Sequence, residues 1–213
     1  MTEWNFRDRP EKHTLRLFLV RHGQTDANLK GYLQGISNGM LNETGLNQAN
    51  RLGRHLREVT LDHIFASDLQ RAIDTAASIA NYHNLKVGID SRLHEWNCGN
   101  LDGQLIADFL KMVKEIGKPI SQLELPGGEM LKEVRLRADE FIKDLVAEHI
   151  GESVLACSHG DLMRMMVSSL LNIDIDTAQA FYFDNASYSV FEHTGGRWKV
   201  VAINRVADIY DSQ

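Results

Sequence analysis

A short apolar run, Leu15 to Val20, stops abruptly at Arg21-His22-Gly23, and this junction constrains the fold more than any other stretch. A run of that length without helical period reads as a buried strand, Leu15–Arg21. In open α/β sheets, ligands gather at the carboxyl edge where such strands end. An imidazole and a guanidinium are therefore delivered together to a ligand-binding edge. A second junction of the same kind, VLACSHGD at 154–161, delivers His159. Two strand-end histidines with arginine nearby point to a site for a phosphate dianion, one imidazole being the candidate nucleophile.

Strand and helix patterns alternate along the rest of the chain. Residues 45–58 place Leu46, Ala49, Leu52, Gly53 and Leu56 at helical spacing behind Thr44 as N-cap. His63–Ala66 reads as a strand. Ser67 and Gln70 fit a capping box for a helix that turns Leu69, Ala72, Ala76, Ile79 and Ala80 inward. Residues 85–89 suit another strand, and 102–116 a helix stopped by Gly117-Lys118-Pro119. From Leu131, the positions Val134, Ala138, Phe141, Ile142, Leu145 and Val146 mark a long amphipathic helix. A strand at Ser153–Cys157 and an apolar helix at Leu162–Leu171 follow. Ser187–Glu192 and Trp198–Ile203, around Gly195-Gly196, read as a hairpin added antiparallel to the edge.

This alternation predicts one α/β domain, a three-layer α/β/α sandwich with a mostly parallel central sheet and helices on both faces. Residues 1–14 read as an N-terminal extension, 15–204 as the domain and 205–213 as a C-terminal tail.

Composition removes several classes of function. A net charge of -6 without a basic stripe argues against nucleic-acid binding. The stretch MTEWNFRDRPEKH is polar where a signal peptide needs an apolar segment, and no 18-residue apolar run marks a membrane span. A cytoplasmic protein is expected. The two cysteines, Cys98 and Cys157, lack metal-ligand spacing and read as free thiols. Neither GxxxxGK[ST] nor GxGxxG occurs, and the histidines lack HExxH spacing, so no nucleotide cofactor and no metal is expected.

His22 is followed by Gly23, which permits close backbone approach to a ligand. Neutral imidazole attacks phosphorus when its other nitrogen donates to a fixed acceptor. The sequence does not show that acceptor. Arg71 falls in the first turn of a helix behind a strand, where anions bind and a guanidinium grips phosphate bidentately. His159 stands at a similar junction ahead of Gly160, and Glu95 lies in the loop RLHEWNCGNLDG.

RHGQTDAN matches the pattern RHG-[E/Q]-T-x-x-N. GYLQGISNGMLNETGLNQA, SDLQRAIDTA, LHEWNCGNLDG, PGGE and SHGD follow in an order that resembles the histidine phosphatase superfamily, in its cofactor-dependent phosphoglycerate mutase-like branch. The resemblance runs over about residues 15–204. It implies that His22 accepts the phosphoryl group and that Arg21, Arg71 and His159 clamp its oxygens. Asn28, Gln34 and Gly160 would add phosphate contacts, and Glu95 would protonate the leaving oxygen, without a metal. Asn42 and Met130 depart from the family's usual residues. The segment between Glu95 and the helix at 131 is short for a mutase, so the expectation is hydrolysis of a small phosphorylated metabolite. Phosphoglycerate mutase, and a non-catalytic phosphate-binding module, stand as alternatives. Specificity is expected from residues 29–40 and 98–130, which carry no legible code. Oligomeric state is open, a homodimer included.

Overall fold

A computed structural model describes residues 6–207. In chain order its elements are β1 (Thr14–Arg21), α1 (Asp26–Lys30), α2 (Glu43–His55), β2 (His63–Ala66), α3 (Gln70–Ala80), β3 (Val87–Ile89), α4 (Ile106–Ile116), α5 (Leu131–Glu148), β4 (Ser153–Ser158), α6 (Gly160–Leu170), α7 (Ile175–Ala178), β5 (Ser187–Thr194) and β6 (Arg197–Val206). The sheet order is β3-β2-β4-β1-β5-β6. The strands β3, β2, β4 and β1 run parallel, and the β5–β6 hairpin adds antiparallel beside β1.

Side chains on a strand alternate between faces, and the two central strands feed two cores accordingly. Leu15, Leu17 and Leu19 of β1, with Val154 and Ala156 of β4, pack with α5 and α6 residues such as Phe141 and Met163. Phe18, Val20, Leu155 and Cys157 face the other way, against Leu52 of α2 and Ala72, Ala76 and Ile79 of α3. Both faces of β1 and β4 are therefore sealed, which gives the expected three layers. Truncating a fully buried leucine such as Leu19 to alanine costs about 2–5 kcal/mol. Ahead of β1, Phe6 packs edge-on to Phe18 at a centroid distance of 5.5 Å. Among the described residues, no helix is long and apolar enough to cross a membrane.

Several local expectations are corrected. Helix α2 begins at Glu43, and its N-cap is Asn42, not Thr44. The Asn42 carboxamide oxygen accepts from Gly45 N at 2.8 Å, while its Nδ2 reaches Gln24. The capping box of Ser67 and Gln70 does not form. Ser67 Oγ accepts from Leu69 N and serves His159, and Gln70 bonds Asp74 instead. Helix α4 starts at Ile106, not at 102, because Asp102 is used elsewhere: its carboxylate accepts from Gly35 N, Ser37 N and Ser37 Oγ. Its end is as expected, with Gly117 in the left-handed region at φ 68.

Candidate active site

Arg21 of β1 stands opposite Ser158 of β4 in a parallel pair, so the next residues, His22 and His159, leave the sheet side by side. Their ring centroids are 5.0 Å apart. His22 is buried, and its Nδ1 lies 2.7 Å from Gly23 O. A carbonyl only accepts, so Nδ1 carries the hydrogen and Nε2 keeps the lone pair. Burial, then the charges of Arg21 and Arg71, hold the imidazole well below its usual pKa, outweighing the Gly23 bond. His22 is thus a neutral ring of fixed tautomer with its Nε2 lone pair retained, and Gly23 O is the acceptor the sequence left unnamed.

The backbone around His22 is clamped from three directions. Gly23 N donates to Thr75 Oγ1, whose hydroxyl donates to Arg71 O. Asn185 Nδ2 and Ala186 N both donate to His22 O. A Cβ at Gly23 would stand 2.5 Å from Gly45 O, so only glycine lets α2 approach this closely.

Arg71 is fully buried at the start of α3. Its Nη1 and Nη2 donate to Ser37 O and Gly35 O at 2.8 and 2.7 Å, and its Nε donates to His159 Nδ1 at 3.2 Å. His159 Nδ1 is therefore an acceptor, and Nε2 carries the hydrogen that goes to Ser67 Oγ at 2.8 Å. Burial and the neighbouring Arg71 push the His159 pKa well down, so this ring is neutral too. Both His159 nitrogens are spent on protein partners, and the ring fixes the direction of Arg71. Arg21 donates from Nη1 to Phe183 O at 2.6 Å, while its buried Nε has no partner among the described residues.

Glu95 enters from the loop between β3 and α4. Its Oε1 accepts from Trp96 N at 2.9 Å and from Asp161 N and Leu162 N at 3.1 Å each. The carboxylate thus caps the first turn of α6, and Oε2 is the less committed oxygen, 3.3 Å from Asp161 N. Burial and the nearby Asp161 raise the Glu95 pKa, against the backbone N–H groups and Arg71, which lower it. A Cβ at Gly160 would lie 3.8 Å from both Arg21 Nε and Glu95 Oε2. Gly160 therefore marks where the guanidinium and the acid meet.

The two remaining expected residues sit one layer out. Asn28 Oδ1 accepts from Asn185 Nδ2, the amide that also donates to His22 O. Gln34 Oε1 accepts from Thr25 Oγ1 at 2.7 Å, and its neighbour Gly35 holds Arg71. Sequence reasoning missed Thr75, Ser67, Asp102, Asn185 and Arg137. The first is signalled by standing one helical turn after Arg71. Arg137 of α5 has no such signal: it bonds Arg92 O, His94 O and Glu95 O at 2.8, 2.6 and 2.9 Å and pairs with Glu129. Among the described residues, no three metal-ligating side chains gather at this edge.

A mostly parallel sheet presenting two buried neutral histidines, two arginines and a raised carboxyl defines a phosphoryl-handling protein. The chain belongs to the histidine phosphatase superfamily (branch 1), whose family model matches residues 17–206. By family it is a histidine phosphatase. It is 34% identical over 198 residues to phosphoserine phosphatase 1 of Hydrogenobacter thermophilus, covering 89% of this chain and 92% of that one. It is 30% identical to a probable phosphoglycerate mutase of Erwinia tasmaniensis, covering 86% and 87%. Among solved structures, a mycobacterial glucosyl-3-phosphoglycerate phosphatase superposes with a TM-score of 0.81 at 28% identity, over 90% of this chain and 99% of that one.

Proposed function

We propose that this protein hydrolyses a small phosphomonoester through a phosphohistidine on His22, with Glu95 as the proton donor and residues 15–204 as the catalytic domain. The observation that carries the reading is the 2.7 Å bond from His22 Nδ1 to Gly23 O, which leaves Nε2 as the attacking atom. In the first step the Nε2 lone pair forms a bond to phosphorus and the ester P–O bond breaks. The leaving oxygen takes the Glu95 proton, a transfer worth about 10²–10⁴-fold in rate. In the second step Glu95, now a carboxylate, takes a proton from water. The resulting hydroxide attacks phosphorus, and the P–N bond returns its electrons to Nε2. Arg21 Nε and the spare hydrogens of Arg71 offset the equatorial negative charge, with no metal in either step. Asn28 and Gln34 support the loop and turn that hold these groups, and His159 acts through Arg71.

The short segment between Glu95 and α5 favours water as the second acceptor. Likeness to relatives named as phosphoglycerate mutases supports transfer to a second substrate as the other reading. A cytoplasmic location suits the two free, buried thiols Cys98 and Cys157. The test is a chelated assay of phosphoserine, phosphosugars and para-nitrophenyl phosphate, beside 3-phosphoglycerate with its bisphosphate. Phosphate release identifies the phosphatase, and isomerisation with little release identifies the mutase. Acid-labile phosphoenzyme should form in the parent and vanish in His22→Ala; hydrolysis retained by His22→Ala overturns the proposal.

A further inference from the structure

His63 opens β2, His149 follows the last residue of α5, and Glu152 immediately precedes β4. Two imidazoles and a carboxylate from two parts of the chain converge there. Glu152 Oε2 lies 3.2 Å from His63 Nε2 and 2.7 Å from His149 Nδ1. The three donor atoms all lie within 4.8 Å of one another. The histidine ring centroids are 4.5 Å apart, and Phe65 lies beside both rings at 6.3 and 6.0 Å.

We propose that His63, His149 and Glu152 form a binding site for a zinc-class divalent ion at the edge of the sheet opposite the histidine phosphatase site. Ligands at zinc-like bond lengths of about 2.0–2.2 Å stand about 3.3 Å apart in a tetrahedron. The two separations to Glu152 Oε2, 3.2 and 2.7 Å, lie near that figure, and the two imidazole nitrogens, within 4.8 Å, meet it by side-chain adjustment. A carboxylate only accepts, so in the metal-free protein the hydrogens sit on His63 Nε2 and His149 Nδ1. The ion takes the place of those hydrogens, and each ring then carries its hydrogen on the other nitrogen. Two imidazoles with one carboxylate select a borderline ion over magnesium or calcium, which take oxygen ligands. Three protein ligands leave the fourth position to water.

The supporting backbone is already fixed. Glu152 N donates to His149 O at 3.1 Å, holding the two ligands across one turn, and Glu152 O accepts from Arg16 N of β1 at 2.9 Å. Asp62, next to His63, exchanges two bonds with Ser153, next to Glu152: Asp62 N to Ser153 O at 2.8 Å and Ser153 N to Asp62 Oδ2 at 2.9 Å. The His63 side chain is 44% exposed and that of Glu152 35%, so an ion reaches them from solvent. Six residues of β4, roughly 20 Å at the rise of a strand, separate this cluster from the His159 end. The ion therefore staples the end of α5 to the sheet and takes no part in phosphoryl transfer.

The experiment is titration of zinc into chelator-stripped full-length protein by calorimetry, with a thermal melt at each point. Cobalt(II) serves as a visible-absorption reporter of tetrahedral nitrogen and oxygen ligation. The expected result is one zinc per chain, a Tm rise of roughly 5–10 °C at a hundredfold excess over Kd, and intense cobalt bands. His149→Ala and Glu152→Gln should lose all three signals, and phosphate release should be the same with and without zinc. His63→Gln, at an exposed strand start, keeps the fold and must lose binding as well. No saturable binding, or binding unchanged in the three variants, overturns the proposal.

Discussion

Arg137 Nη2 donates to the carbonyl of Glu95 at 2.9 Å, so the proposed acid is aimed through its main chain by a guanidinium that makes no bond to its carboxyl. The same guanidinium holds Arg92 O and His94 O, and Glu129 fixes it in turn. Arg137→Met leaves three carbonyls without this donor, at about 1–3 kcal/mol. It should lower Tm by about 2–12 °C and kcat by about tenfold, with KM little changed. Arg137→Lys cannot reproduce the fork and should rescue only in part. Steady-state kinetics beside melting curves decide it; a change confined to KM would contradict a positioning role for Arg137.

Glu95→Gln should move stability and activity in opposite directions. The folded pKa of Glu95 lies above its unfolded value of about 4.5, so the folded protein binds the extra proton. That contribution is fully present below pH 4.5 and is lost as pH rises through the folded pKa, leaving a net cost at pH 7. Glutamine stays neutral and keeps an oxygen for Trp96 N and Leu162 N. The variant should gain about 2–4 °C in Tm at pH 7 per kcal/mol recovered, an advantage that shrinks near pH 4.5. Its kcat should fall by about 10²–10⁴. Equal Tm at pH 7 would remove the buried-acid account.

His22 and His159 predict an acid-side loss of stability. Both folded pKa values lie well below 6.5, so below that pH the unfolded chain binds protons the folded protein refuses. Stability from the two neutral rings is complete above about pH 6.5 and is lost as pH falls toward the folded values. Tm should be level from pH 7 to 8 and decline from about 6.5 to 5. His22→Asn should show a shallower decline over the same interval. Melts in a constant-ionic-strength buffer series test this, and parallel profiles for parent and variant would refute it.

Gly23 and Gly160 predict a contrast between two alanine variants. Gly23→Ala drives a methyl to 2.5 Å from backbone at Gly45, which cannot rotate away. It should cost about 1–3 kcal/mol and, by displacing His22, about a hundredfold in kcat. Gly160→Ala meets nothing closer than 3.8 Å, so Tm should be unchanged. Its methyl enters the space between Arg21 Nε and Glu95 Oε2 and should raise KM. Equal melting losses in both variants would show that the two glycines are not distinguished by space.

The sheet and its sealed faces were legible because β1 and β4 are largely apolar, Arg16 being the one charge within the Leu15–Val20 run, and the helices keep a clean 3.6-residue period. His22, Arg71 and His159 were legible because they sit at strand-to-helix junctions. Helix starts were less so: Ser67, expected to cap, went to His159, and Asp102, expected as the first residue of a helix, went to the loop that holds Arg71. Arg137 was invisible for a different reason: an arginine on an amphipathic helix looks solvated until its distant carbonyl acceptors are in place. The acceptor that fixes His22 is a backbone oxygen, which no residue pattern encodes.

The pairing of Arg21 with Ser158 joins a segment near the start of the chain to one near its final quarter. During synthesis, the imidazole at position 22 leaves the ribosome long before its neighbour at 159, so a nascent chain carries that ring without its cradle. The paired rings are complete only with β4 in place between β2 and β1. Fragments ending ahead of β4 should be inert whatever local helices they keep.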